Sequence, residues 1–199
     1  EIKEDGEDVI TNVYRAGVSA SASLKKKKEG SDHEHFRGLH EAIVSMQEKK
    51  SFEKMLEMPA LRKEREWITS DYAKALKEDI SRDYNLPEDN LAWVWRDDNG
   101  EANWRSFPYM AQRRALNYVL EEIQKEFPER YNTTDDVYKE FLTAHFTGNL
   151  MPIGRLVEGV FGKGKFRALG NMASENKQSA VLCLEELQKA RRGIVGKKK

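Results

Sequence analysis

Apolar residues recur at helical spacing over most of the chain. Phe36, Leu39, Ile43 and Met46 stand three and four apart, which predicts a helix to about Lys49. Ser31 and Glu34 of "SDHE" read as its capping box, and "SFEKMLEM" as a second short helix. Pro59 then opens or interrupts a long helical stretch ending near Tyr84. A fresh cap is expected at Ser70, with Leu76 and Ile80 on one face. Leu116, Val119, Leu120, Ile123 and Phe127 form the most regular stripe, between Pro108 and Pro128. "NTTDD" caps a helix carrying Val137, Phe141 and Leu142, which closes before Gly148. "PIGRLVEGVF" is a short helix ending in glycines. From Ser174 a last helix is expected to turn Val181, Leu184 and Leu187 inward.

One stretch breaks the helical period. "LAWVWRDDNGEANWRSF" has two strand-like runs around Asn99–Gly100, and Asn-Gly is a strong hairpin signal. A turn over Asp98–Glu101 sets Trp95 opposite Trp104 and Trp93 opposite Ser106. All three tryptophans then share one face, expected to pack on helices, and Arg96, Arg105 and Phe107 take the other. Exposed tryptophans would instead stack nucleic-acid bases. The segment "WVWRDDNGEANW" resembles the start of a WWE domain, a family that pairs tryptophans across a hairpin and binds ADP-ribose units. The resemblance ends with the hairpin, because the further strands of that family do not follow.

The fold class expected is therefore mainly α: a helical globular domain with one small β-hairpin insert and a flexible N-terminal arm. Residues 1–30 form the arm or linker, and 31–192 a single mainly helical domain with its hairpin at about 91–107. Residues 193–199 form a basic tail. Within the arm, "VITNVYRAGV" reads as a short strand or docking segment, and "SASASLKKKKEGS" as a linker. Its lysines 25–28 would be solvated or would touch nucleic acid or acidic lipid.

Composition narrows the classes. The chain has 199 residues, 34% of them charged, and a formal net charge of zero. That zero hides a split. From Met151 onward there are eleven Lys and Arg against four Asp and Glu, a balance of +7, so residues 1–150 carry −7. Such a split suits an anionic partner for the C-terminal part, or contact between copies. No run approaches the roughly eighteen apolar residues of a membrane-spanning helix. The first residue is not Met, which reads as a processed product or a piece of a longer protein. The single cysteine, Cys183, excludes an internal disulfide framework and a multi-cysteine zinc site. It reads as a buried, inert thiol and favours a reducing intracellular compartment.

Catalytic signatures are lacking. "GVFGKGKFRALGN" has Gly164 after Gly162–Lys163, where a nucleotide-triphosphate loop needs Ser or Thr to hold magnesium. It reads as a turn between helices or as a phosphate contact. His33 and His40 share a helical face, but the i, i+4 spacing of zinc helices is absent, so no metal and no cofactor are expected. The expected function is non-enzymatic binding and assembly, as in a nucleoprotein- or coat-like subunit. Its contacts to RNA or DNA phosphates are Lys163, Lys165, Arg167, Arg191 and Arg192, and self-association accompanies them. The alternatives are an enzyme drawing on dispersed groups such as Tyr109, His145 and Glu158, or a protein-interaction module of a larger protein.

Overall fold

The computed structural model describes residues 2–3, 9–24 and 33–196. Its described elements are mainly helical. Strands β1 (Ile2–Lys3), β2 (Val9–Ala16), β3 (Ser19–Leu24) and β4 (His33–His35) form an antiparallel sheet in that order. Helices α1 (Arg37–Leu56), α2 (Arg62–Thr69) and α3 (Asp71–Tyr84) follow. The hairpin strands are β5 (Leu91–Arg96) and β6 (Ala102–Ser106). Helices α4 (Met110–Glu126), α5 (Thr134–Thr147), α6 (Met151–Phe161), α7 (Lys165–Gly170) and α8 (Lys177–Val195) complete the chain. The chain divides into two compact units. The first is Glu1–Ile43 with Ala111–Lys199, and the second is Val44–Met110.

Around the start of α1 the structure corrects the sequence reading. Glu34 pairs with Ser21 in the sheet, so it does not close a capping box; Ser31 lies outside the described residues. Ser19–Leu24, read as linker, pairs with Val9–Ala16. Its alternating serines and alanines carry the period of two that a strand needs. The lysines 25–28 also lie outside the described residues. The two short helices expected over 36–58 are one helix, α1, because no Gly or Pro separates Lys49 from Ser51.

The core of the first unit follows the α4 stripe. Leu116, Val119, Leu120 and Ile123 are buried, together with Phe141 of α5, Ile153, Val157 and Val160 of α6, and Leu187 of α8. The start of α5 is the expected cap: Thr133 accepts from the Asp136 N–H, and Asp136 reaches back. Gly148 ends the helix in the left-handed region at φ 70°. The inward face of α8 differs from the reading. Ala180, Cys183 and Leu187 are buried, while Val181 is exposed and Leu184 half-buried.

In the second unit Ser70 caps α3 as expected, accepting from the Ala73 N–H. Leu76 and Ile80 share the buried face and pack with Ala73, Leu91 and Val94. Trp104, Ala102 and Leu86 pack around them. The hairpin register differs by one residue from the sequence reading. Trp93 pairs with Arg105, Val94 with Trp104, and Trp95 with Asn103. The loop is the cause. Gly100 takes φ 83°, but Asn99 does not take a positive φ, so the two-residue turn is not formed. Instead the Gly100 N–H donates to the Asp97 carbonyl, and Asp97 pairs with Glu101 across a longer loop. A one-residue slip reverses every face. Trp104 therefore joins Val94 on the core side, and Trp93 and Trp95 take the other side with Arg105.

The Asp97 carboxylate holds this loop by accepting from the Asn99 and Glu101 N–H groups, at 3.0 and 2.9 Å. Asp97→Ala is expected to cost about 0.5–2 kcal/mol, the range for losing a side-chain cap on backbone N–H groups. Urea unfolding of the variant measures it, and an unchanged midpoint would show that the loop does not depend on this carboxylate.

Candidate nucleic-acid interface

Five basic residues carry the binding expectation, and the structure divides them into two groups. The glycine stretch is a turn between α6 and α7. Gly162 and Gly164 take φ 91° and 85°, conformations that side chains rarely adopt. The end of α8 lies beside this turn: a Cβ on Gly162 would sit 3.7 Å from Ile194 Cδ1, and Arg191 Nη1 donates to the Val160 carbonyl at 3.4 Å. So the turn and the last part of α8 lie side by side.

Lys163, Arg167 and Arg192 are exposed and form no ion pair among the described residues. Arg155, Lys177 and Lys189 of the same helices are likewise exposed and unpaired among them. Of the four carboxylates in this region, Glu158 accepts from the Gly164 N–H at 2.9 Å and Glu186 pairs with Lys165 at 2.7 Å. Glu175 and Glu185 are left exposed. Six unpaired cations against two unpaired carboxylates leave an excess of positive charge among the described residues of α6, α7 and α8 and the turns between them.

The other two residues have structural partners. Lys165 is bound to Glu186 and ties α7 to α8. Arg191 is only 13% exposed and bridges two carboxylates of α4, Glu122 at 2.9 Å and Glu126 at 2.8 Å. Burial opposes the ionisation of Glu122, but hydrogen bonds from Lys125 and Arg191 outweigh it and hold its carboxyl below the ordinary value. Arg191 is lodged in a charge clamp. The Gly164 N–H, one of the backbone donors that would cradle a phosphate, is already used by Glu158. Contact to an anion here falls to exposed side chains.

Of the groups considered for catalysis, Glu158 accepts from the Gly164 N–H. Cys183 is buried with its Sγ 3.7 Å from the Ala168 carbonyl, and burial, aided by the Glu186 charge, pushes the thiol up to about 12. An inert thiol is the result. Tyr109 stands at φ 55° just before α4. His145 packs on His40 of α1, with ring centroids 4.9 Å apart, a pairing that the sequence spacing did not reveal. Both Nδ1 atoms are buried without a hydrogen-bond partner. The β2–β3 turn covers them closely: a Cβ on Gly17 would lie 2.6 Å from His145 Nδ1 and 2.9 Å from His40 Nδ1. No group of three or more metal-ligating side chains exists among the described residues.

This pair gives a pH dependence. Burial, with the neighbouring His40, lowers the His145 value below the ordinary one. The unfolded chain then binds a proton that the folded chain resists, so stability is complete above about pH 6.5 and falls as the pH drops below it. Urea midpoints at neutral and mildly acid pH should diverge more in the wild type than in His145→Gln. Equal divergence would remove His145 from the acid response.

No known protein family, characterised protein or solved structure matches this chain.

Proposed function

We propose that this protein is a non-enzymatic binding subunit that contacts RNA or DNA phosphates through Lys163, Arg167 and Arg192. The observation that carries the reading is their exposure without ion-pair partners, at the turn after α6, on α7 and near the end of α8. Unpaired surface cations gain by replacing the counterions condensed on a phosphate backbone, and this binding is largely independent of sequence. Lys165 and Arg191 contribute indirectly: each neutralises carboxylates that would otherwise repel phosphate. Assembly of copies along a nucleic acid belongs to this proposal, with Val181 and Leu182 supplying exposed apolar surface on α8. The test is simple. Protein purified at low salt should carry nucleic acid, seen as a raised 260/280 nm absorbance ratio that falls after a high-salt wash. A protein-like ratio at low salt, with no retained nucleic acid, would count against the reading.

A further inference from the structure

The one-residue register slip places two tryptophans where the core does not use them. Trp93 and Trp95 are half-buried on the face of β5 opposite Val94. They line a groove of about 460 Å³ with Ala92, Phe52 of α1 and Arg105 of β6. Phe52 is steadied from behind by an edge-on contact with Phe107, at 5.7 Å between ring centroids. Neither indole N–H has a hydrogen-bond partner among the described residues. The Arg105 side chain is exposed and makes neither an ion pair nor a hydrogen bond among them. Other tryptophans of this unit are engaged: Trp67 donates to the Val94 carbonyl at 3.2 Å, and Trp104 packs on Tyr84 at 4.2 Å.

We propose that this groove binds single-stranded nucleic acid, with bases stacked on Trp93 and Trp95 and an adjoining phosphate held by Arg105. The inference rests on the nucleic-acid reading above and adds a second, non-electrostatic contact to it. Three features select this occupant. Two indoles two residues apart on one strand present flat faces that any base can stack on. Arg105 is the one charged residue lining the groove, and an unpaired guanidinium matches a phosphate in charge and geometry. The groove's volume, about 460 Å³, is also within the range of pockets that hold a small organic group such as a nucleobase. Duplex bases are already stacked on each other, so the groove discriminates single strands from duplex.

The experiment is a fluorescence titration of the full chain with a short labelled oligo(dT) and with a duplex of equal length. Binding of oligo(dT) should quench tryptophan emission. Trp93→Ala and Trp95→Ala should each weaken oligo(dT) binding by roughly 5- to 150-fold, the range for losing one stacked base. Duplex binding should stay unchanged, and so should the salt slope. Trp93→Phe should retain most of the affinity, and Arg105→Ala should make the slope shallower by about 0.7. Urea midpoints establish that each variant is folded. If an alanine variant does not fold, Trp93→Phe, Arg105→Ala and the wild-type quenching decide the matter.

Folded alanine variants that bind oligo(dT) like the wild type would overturn the stacking proposal while leaving the basic surface intact. Loss of oligo(dT) binding in Trp93→Ala, with full binding in the Lys163, Arg167 and Arg192 triple alanine variant, would do the reverse. It would support the groove and remove the basic surface. Wild-type protein that binds neither probe overturns both. Concentration-dependent self-association that Trp93→Ala abolishes, with oligo(dT) binding unaffected, would assign the groove to a second copy and overturn the proposal.

Discussion

Arg191→Ala is expected to lower the unfolding free energy by about 3–5 kcal/mol, the cost of breaking a largely buried ion pair from one side. The guanidinium is 13% exposed, and its partners Glu122 and Glu126 are 13% and 24% exposed. Removing it leaves two neighbouring carboxylates of α4 in mutual repulsion. Lys125 remains as a partner of Glu122. The substitution also removes a hydrogen bond to the Val160 carbonyl, so the contact between α8 and α6 weakens too. Lys165→Ala breaks a more exposed pair, 27% and 49%, and should cost at most about 1 kcal/mol. Urea unfolding separates the two. Arg191→Ala with a wild-type midpoint would contradict the clamp and return Arg191 to the set of free cations.

The opposite pattern is expected where no partner exists. Replacing Lys163, Arg167 and Arg192 together by Ala removes no ion pair among the described residues, so the urea midpoint should stay close to wild type. Binding should change strongly. Each neutralised phosphate contributes about 0.7 for single strands or 0.9 for duplex to the slope of log K against log salt. Without these three cations, binding near 0.15 M salt should weaken by roughly 50- to 150-fold. Fluorescence anisotropy of a labelled oligonucleotide reads this change. A folded triple variant with wild-type affinity would place the binding surface elsewhere.

What the sequence revealed depended on how local each signal was. The α4 stripe and the α5 cap were legible because neighbouring residues within one element produce them: the period of Leu116, Val119, Leu120 and Ile123, and the pairing of Thr133 with Asp136. The hairpin was legible as a hairpin but not in its register. That turned on whether Asn99 adopted a positive φ, and the Asp97 carboxylate decided it by favouring the longer loop. The slip changed the meaning of two tryptophans, from expected core to groove lining. On α8 the apolar run "AVLCL" offered overlapping faces, and burial of Cys183 selected the one with Ala180 and Leu187.

The candidate site was legible as a charge excess and not as a set of contacts. Local sequence shows where lysines and arginines gather, but not which carboxylates from distant segments reach them. Glu122 and Glu126 take Arg191 across more than sixty residues of chain, and their spacing of four on α4 gives no local sign of it. Lys165 is taken by Glu186 in the same way, from another helix. The His40–His145 pair joins helices more than a hundred residues apart, so reading His40 against His33 missed its partner.

The most direct test of the central claim is the salt dependence of wild-type binding. Affinity for a labelled oligonucleotide is measured by anisotropy across a range of salt concentrations around the physiological one. A basic surface acting through Lys163, Arg167 and Arg192 predicts a linear fall of log K with log salt. It also predicts a slope at least about 2 steeper than that of the triple alanine variant. A wild-type protein with no measurable binding at low salt, or with a slope that the triple variant shares, would contradict the claim.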